Sequence, residues 1–156
     1  MPPSREQKGG GDRIGPTRCG KGSKIEAITD SYGLPVAVRV TSASPNELTL
    51  VEDTLAQRHI AQVPRRLTGD KAYDSDAVDQ RLRERHDVEM IAPSRRNRKR
   101  TQDCRPLTRY LRHWKIERLF AWLKDFRRLT SRWERHANNF LGIVQLGCLL
   151  ILLRHL

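Results

Sequence analysis

The stretch RLTGDKAYDSDAVDQRLRERHDVEMIA, residues 66–92, decides the fold class. A short apolar run at residues 66–69 ends in glycine, and Ser75 can cap a helix over residues 76–86. A second apolar run, residues 88–92, stops before a proline. Strand, helix and strand with a connection of this length predict a parallel crossover, so we expect an α/β protein.

Upstream of this unit, two short β-type runs at residues 24–29 and 36–42 flank the turn residues Gly33 and Pro35. Valines alternate with other residues in the second run, which is typical of a half-buried strand. The two runs predict a β-hairpin, and a helix is expected to start after Asn46.

The remaining segments differ in composition. Residues 1–23 are rich in Gly, Pro, Lys and Arg without apolar periodicity, and we expect them to be flexible or irregular. A basic connector at 94–106 is expected to be a loop, followed by a helix over 110–129. The last helix, about 139–153, is apolar nearly all round and is therefore expected to be buried. This gives a basic segment 1–23 and one domain, 24–156.

The charge is concentrated at two ends of the sequence. The formal net charge is +12, and residues 95–135 hold 15 lysines and arginines against four acidic residues. Residues 26–94 hold 12 acidic residues against eight basic ones. A cationic surface of this kind indicates a polyanion partner, most simply nucleic acid, although it is also compatible with a solvated face.

Cysteine usage and hydropathy indicate the cellular compartment in which the protein is expected. Cys19, Cys104 and Cys148 lie far apart and show neither metal-site spacing nor a disulfide framework, which fits a reducing cytoplasm. The N-terminus lacks the apolar core of a signal peptide. The longest apolar run, about 14 residues from Phe140, is short for a membrane span, so no membrane partner is expected.

Two carboxylates are candidate functional groups. Asp70 ends a short strand, where sites collect in α/β sheets, although a strand-end aspartate is also a common turn residue. Glu117 stands alone in the most basic stretch, YLRHWKIERLFAWLKDFRRL, residues 110–129. At roughly 100° per residue, Tyr110, His113, Glu117 and Lys124 share one helix face. An ordinary surface helix with Glu–Arg pairs is the alternative.

Several motifs together resemble those of a known family. They are GKGSK at 20–24, SASPNE at 42–47, GDKAYDSD at 69–76, IAPSRRNRKR at 91–100 and Tyr110 to Leu129 with its WKIERLFAWL core. The last stretch follows the family's Tyr-x2-Arg-x3-Glu-x6-Lys signature except at one position. These motifs resemble bacterial insertion-sequence transposases of the DDE type, the insertion-sequence four/five superfamily, over more than nine-tenths of the chain. His113 stands where the family usually has arginine, and a neutral imidazole cannot grip a phosphate as a guanidinium does.

The resemblance implies an RNase H-like catalytic core that holds two Mg²⁺ or Mn²⁺ ions through two aspartates and a glutamate. Asp70 would be the second aspartate and Glu117 the glutamate, both catalytic and metal-binding. Expected DNA contacts come from the signature and from the basic connector: Tyr110, Arg112, His113, Lys124, Arg95, Arg96, Arg98, Lys99 and Arg100. The implied partners are insertion-sequence ends and target DNA, with a homo-oligomer on DNA and a cytoplasmic, nucleoid-associated location.

The family's first aspartate has no counterpart here. Its position falls at or just before Met1, and neither Asp12 nor Asp30 matches the motif. We therefore expect an RNase H-like core that is incomplete at its N-terminus, lacks the first strand and ends in two helices, with little or no activity alone. The alternative function is a DNA-binding transposase remnant that acts as an inhibitor or partner of a full-length transposase. A weaker alternative is a different RNase H-like nuclease.

Overall fold

The computed structural model describes residues 4–6, 11–17, 20–96 and 114–156, which form a mixed α/β fold. Its strands are β1 (Ser4–Glu6), β2 (Gly15–Thr17), β3 (Gly20–Thr29), β4 (Pro35–Ser42), β5 (Arg66–Thr68), β6 (Glu89–Ile91) and β7 (Ser131–Arg132). Its helices are α1 (Glu47–Ala56), α2 (Asp76–His86), α3 (Trp114–Lys124), α4 (Arg127–Thr130) and α5 (Ala137–Leu153), with a 3₁₀ turn at Lys71–Tyr73. The predicted α/β class is confirmed.

The predicted hairpin is confirmed by β3 and β4, which pair in antiparallel register. Its turn is closed by Asp30, whose Oδ1 accepts the backbone N–H groups of Tyr32 and Leu34. Gly33 lies in the turn with φ of 84°, a conformation that favours glycine. Helix α1 then starts after Asn46, as predicted, because the Asn46 side chain accepts the N–H of Leu48.

The predicted crossover is also confirmed. Strands β5 and β6 pair in parallel, and α2 connects them. The backbone at Gly69 lies against the side chains of Met90 and Tyr73. A Cβ at this position would lie 2.5 Å from the Met90 side chain and 2.7 Å from the Tyr73 ring. Glycine at this position therefore allows the turn after β5 to fold back on the strand.

Two hydrophobic cores lie on opposite faces of the β3–β4 hairpin. Ile25, Val38 and Val40 face α3, α4 and α5. Ile28 contacts the second core, which α1, α2, β5 and β6 form. Successive residues of a strand alternate between faces, so Lys24, Glu26 and Ile28 share the second face.

The strands are distributed over two sheets. One sheet has five strands. Four of them are hydrogen-bonded in the order β2, β3, β1, β7, and the fifth, β4, pairs with β3. β5 and β6 form a sheet of their own. Within the described residues, β5, the strand before Asp70, is therefore not hydrogen-bonded to the hairpin strands, and the strands do not form one continuous sheet.

The segment 1–23 contains more structure than expected. We expected it to be irregular, but β1 and β2 both pair with β3, which itself begins at Gly20. The expected boundary between residues 23 and 24 therefore falls inside a strand. The pairing of β1 and β2 with β3 uses backbone hydrogen bonds of the glycine-rich first residues of β3. The paired segments have few apolar side chains, so hydrophobic periodicity could not reveal them.

Two expectations about the C-terminal helices were wrong. The helix expected over 110–129 is interrupted after Lys124, and Leu129 reaches the first core from the separate α4. The last helix is not buried all round, because it covers the sheet as an outer layer. Its outer face leaves four leucines about half exposed: Leu146, Leu149, Leu150 and Leu153. No helix of the described part of the chain is long and apolar enough to cross a membrane.

Candidate metal and nucleic-acid site

Asp70 lies just past the carboxyl end of β5, separated from the strand by Gly69, and is exposed. Its Oδ1 accepts the backbone N–H of Ala72 at 2.7 Å and so caps the 3₁₀ turn Lys71–Tyr73. This bond orients the carboxylate outward from the strand end. Asp70 was interpreted from the sequence either as a functional carboxylate or as a turn residue. The structure is compatible with both, because the carboxylate is exposed and also caps the turn.

Arg95 holds the same turn in place from the connector. Its Nε donates to the carbonyl oxygen of Lys71 at 3.1 Å, and its Nη2 donates to that of Ala72 at 2.6 Å. Its backbone N–H donates to Oδ2 of the buried Asp74 at 2.7 Å. The guanidinium that we expected to contact DNA is therefore engaged with the backbone of the turn that carries Asp70.

A buried carboxylate lies on the hairpin face that carries the second core. Glu26 of β3 is 9% exposed, and its Oε1 is buried without a hydrogen bond from any residue that the structure describes. The Nζ of Lys24 lies 3.8 Å from this oxygen and 3.2 Å from Oε1 of Glu47. Burial raises the pKa of Glu26 above its ordinary value, and the charge of Lys24 partly offsets this.

Tyr73, the last residue of the turn that Asp70 caps, packs against the second core. Burial, followed by the negative charges of Glu26, Glu47 and Asp70, raises the pKa of the Tyr73 phenol.

Glu117 lies in the first turn of α3 and is exposed. The opposite side of the helix buries Leu119 and Leu123 completely against the first core. Lys124 ends the helix and is exposed. The division of α3 into a buried apolar face and an exposed face with Glu117 and Lys124 follows the predicted helical spacing.

The start of α3 is anchored to the hairpin turn. Lys115 Nζ donates to the carbonyl oxygen of Ser31, and Arg118 Nη2 donates to that of Tyr32. The Arg118 guanidinium lies 4.9 Å from the ring centres of both Trp114 and Trp122. These contacts set the position of Glu117, since it lies between the two anchoring residues.

The predicted site residues divide into three groups. Asp70 belongs to the second-core side of the hairpin, whereas Glu117 belongs to the helix that packs on the first core. Arg95, Arg96 and Lys124 are exposed. The other predicted DNA-binding residues lie outside the described residues: Arg98, Lys99, Arg100, Tyr110, Arg112 and His113. Among the residues that the structure describes, no three His, Cys, Asp or Glu side chains are grouped so as to hold a metal ion.

The sequence was compared with known protein families. The profile of the Transposase DDE domain family matches residues 5–153, almost the whole chain. This chain belongs to the DDE transposase family. The resemblance inferred from the motifs to insertion-sequence DDE transposases is thereby confirmed.

Two relatives show how this DDE transposase chain compares in length. It is 34% identical over 142 residues to a protein of Burkholderia cepacia provisionally named as the transposase of insertion sequence element IS402. That alignment covers 86% of this chain and 64% of the relative. It is 28% identical to a Brucella ovis protein provisionally named as the transposase of IS6501, covering 85% of this chain and 98% of the relative. No solved structure matches the chain.

The donor atoms present suit the hard divalent ions that DDE transposases generally use. Mg²⁺ prefers carboxylate oxygens and keeps several water ligands. Asp70 offers an exposed carboxylate at a strand end, and Glu26 offers a buried oxygen without a hydrogen bond. Both observations fit a cation near the Asp70 turn.

Sequence reasoning missed two features of this region. Nothing in the motif pattern singles out Glu26, although a glutamate between the apolar residues Ile25 and Ala27 of a strand is a signal that could have been noticed. The role of Arg95 in holding the Asp70 turn could not be inferred, because its acceptors are backbone carbonyls 23 and 24 residues away.

Proposed function

We propose that this chain is the catalytic portion of a transposase that performs metal-dependent cleavage and strand transfer at the ends of an insertion sequence. The observation that carries the proposal is Asp70, an exposed carboxylate at the carboxyl end of β5 in a turn that Arg95 holds in place. The chain spans 64% of the length of the IS402 relative, so the activity of a whole transposase is part of the proposal. An RNase H-like core belongs to it as well.

Asp70 and Glu117 are the proposed catalytic and metal-binding residues. Phosphodiester cleavage needs a water or a 3′-hydroxyl in line with the leaving oxygen, and two bound divalent ions stabilise both oxygens. The Ala72 N–H orients Asp70, and Lys115 and Arg118 position Glu117 by fixing α3 on the hairpin turn. Both carboxylates act by binding Mg²⁺ or Mn²⁺ through hard oxygen donors.

DNA is the proposed partner, because basic residues surround Glu117 in sequence. Between residues 95 and 135, 15 lysines and arginines stand against four acidic residues. Lys124 and Arg96, together with Tyr110, Arg112, His113, Arg98, Lys99 and Arg100, are proposed to contact phosphates. Binding through such contacts releases counterions, so affinity should fall steeply with salt. Assembly as a homo-oligomer on the DNA and association with the nucleoid are further parts of the proposal.

A nicking assay tests the catalytic assignment. Purified chain, and a version extended by the upstream coding sequence, are incubated with supercoiled plasmid carrying the element's ends in Mn²⁺ or EDTA. We expect Mn²⁺-dependent nicking that Asp70→Asn and Glu117→Gln each reduce by at least a hundredfold. Normal nicking by either variant would show that its carboxylate is not catalytic.

The second candidate function is DNA binding without catalysis, as an inhibitor or partner of a full-length transposase. It is favoured by the absence of a three-carboxylate group in the described part of the chain. Salt-sensitive DNA binding with no nicking by either version would support this function over the first. Hydrolysis without strand-transfer products would instead indicate another RNase H-like nuclease.

A further inference from the structure

Glu26 occupies an unusual position for a charged residue. It lies within β3, opposite Arg39 of β4, on the hairpin face that α1 covers. The cross-strand arginine could neutralise it, but the Nη1 of Arg39 instead lies 2.7 Å from Oδ2 of Asp53. Among the described residues, the ion-pair partner of Glu26 is Lys24, which also pairs with Glu47.

The environment of Glu26 leaves one oxygen unsatisfied. Oε1 is buried and accepts no hydrogen bond from the described part of the chain, and the Lys24 ammonium lies 3.8 Å away, beyond hydrogen-bonding distance. A buried charged oxygen without a hydrogen bond is costly and rare in folded proteins, so it calls for a physical explanation. A bound cation supplies one, because it replaces both the missing hydrogen bond and the missing charge.

The position of Glu26 relative to the Asp70 turn identifies which site that cation would occupy. Tyr73 is the last residue of the turn that Asp70 caps, and it packs against the second core together with Ile28, which shares the hairpin face of Glu26. Helix α1, which carries Glu47, packs against both this turn and β3. β3, α1 and the Asp70 turn thus place Glu26, Glu47 and Asp70 on the same side of the hairpin. In the described part of the chain, the Lys24 ammonium is the group that ion-pairs with Glu26 and Glu47.

We propose that Glu26 is a further metal-binding residue of the transposase site and supplies a carboxylate to the divalent ion held by Asp70. The inference rests on the proposed function, because it assigns Glu26 to the same site. Two protein carboxylates suffice for such an ion, since Mg²⁺ commonly binds through one or two carboxylates, with waters and substrate phosphates completing the shell. Without the ion, the Lys24 ammonium is ion-paired with Glu26 and Glu47, and the bound ion displaces it from Glu26.

The alternative is that Glu26 and Lys24 form a purely structural ion pair. The two interpretations differ in their expectations for Glu26→Gln without metal. A structural pair predicts a lower melting temperature in EDTA and an unchanged response to metal. A metal site predicts a melting temperature in EDTA equal to or above that of the wild type, because an unsatisfied buried charge has been removed, and a lost response to metal.

Mn²⁺ alone is the probe for the experiment. Its binding to the full chain is measured by titration calorimetry, and the rise in melting temperature with Mn²⁺ concentration gives a second readout through linkage. The variants are Glu26→Gln, Asp70→Asn and the control Glu89→Gln. Glu89 is a matched control because it is ion-paired with Arg66 at 2.8 Å, at the opposite end of the β5–β6 sheet from Asp70.

We expect Glu26→Gln and Asp70→Asn each to weaken Mn²⁺ binding at least tenfold, with Glu89→Gln unchanged. Loss of binding in Asp70→Asn with normal binding in Glu26→Gln would overturn the inference and leave the proposed function standing. A wild-type chain that binds no Mn²⁺, or binds it independently of Asp70, would overturn the inference and remove the metal site from the proposed function.

Lys24→Gln provides an independent test should Glu26→Gln fail to fold. Removing the ammonium takes away the group that competes with the ion for Glu26 and Glu47. If Glu26 binds the ion, Mn²⁺ affinity rises severalfold and added Mn²⁺ restores the melting temperature. A lower melting temperature with unchanged Mn²⁺ affinity would overturn the inference.

Discussion

Arg132 binds Asp12 across 120 residues of sequence: its Nη1 donates to the Asp12 carbonyl at 2.9 Å, and its Nη2 lies 3.4 Å from Asp12 Oδ1. The same Oδ1 accepts the N–H of Ala137 at 2.6 Å, at the start of α5. Arg132 is 2% exposed and also donates to Ser23 Oγ. These bonds tie the loop before β2 to β3 and to the final helix.

Replacing Arg132 should therefore destabilise the whole fold. Arg132→Met leaves the part-buried carbonyl oxygens of Asp12, Glu134 and Arg135, and the buried Ser23 Oγ, without their donor. We expect a loss of about 3 kcal/mol in the free energy of unfolding. Urea denaturation measures it. Arg135→Met is the control: that side chain is exposed, so a change within about 0.5 kcal/mol is expected. Equal effects of the two substitutions would contradict the role of Arg132.

The Asp12 carboxylate predicts a loss of stability in acid. The hydrogen bond from Ala137 and, to a smaller extent, the charge of Arg132 hold the pKa of Asp12 below its ordinary value of 3.8. Because the pKa is lower in the folded state, the contribution is present above the unfolded-state pKa and is lost as pH falls through the folded-state pKa.

Asp12→Asn should accordingly be less stable than the wild type at pH 7, and the difference should shrink as the pH falls below about 4. Urea denaturation between pH 7 and pH 3 measures both proteins. A difference that stays constant over this range would show that the charge of Asp12 does not contribute.

The hairpin turn should not tolerate a side chain at Gly33. Its φ is 84°, and a Cβ would lie 2.8 Å from the Arg118 Nη2 that anchors α3. We expect Gly33→Ala to cost about 1–2 kcal/mol in the free energy of unfolding. Gly142→Ala is the control within α5, where a Cβ meets nothing within 4 Å and should stabilise the protein by up to about 1 kcal/mol. Thermal or urea unfolding would show opposite signs for the two changes.

Arg95 and Arg96 should have different roles although they are adjacent. Arg95→Ala removes the donors to the Lys71 and Ala72 carbonyls, so amide hydrogen exchange in the turn Lys71–Tyr73 should become faster. Arg96→Ala should leave exchange in the turn unchanged and act only on DNA affinity. Exchange measured by mass spectrometry on both variants decides this. Similar exchange in both would mean that Arg95 does not hold the Asp70 turn.

Local elements were largely predictable from the sequence. The β3–β4 hairpin and the β5–α2–β6 crossover follow from hydrophobic alternation, a turn glycine and helix-capping residues, all of which act within a few residues. The position of Asp70 at a strand end followed for the same reason. The break after Lys124 was not predictable, because it redirects the chain so that Leu129 reaches a core formed by distant elements.

The sequence by itself determined the α/β class, the family and the two candidate carboxylates, because motifs and periodicity are properties of neighbouring residues. Only the tertiary structure decided that Arg132 binds Asp12, that Arg95 holds the Asp70 turn and that Glu26 is buried with an unsatisfied oxygen. It also decided that α5 exposes four leucines. Burial and hydrogen bonding depend on which elements pack together, and residues as far apart as 12 and 132 carry no local pattern that reveals their contact.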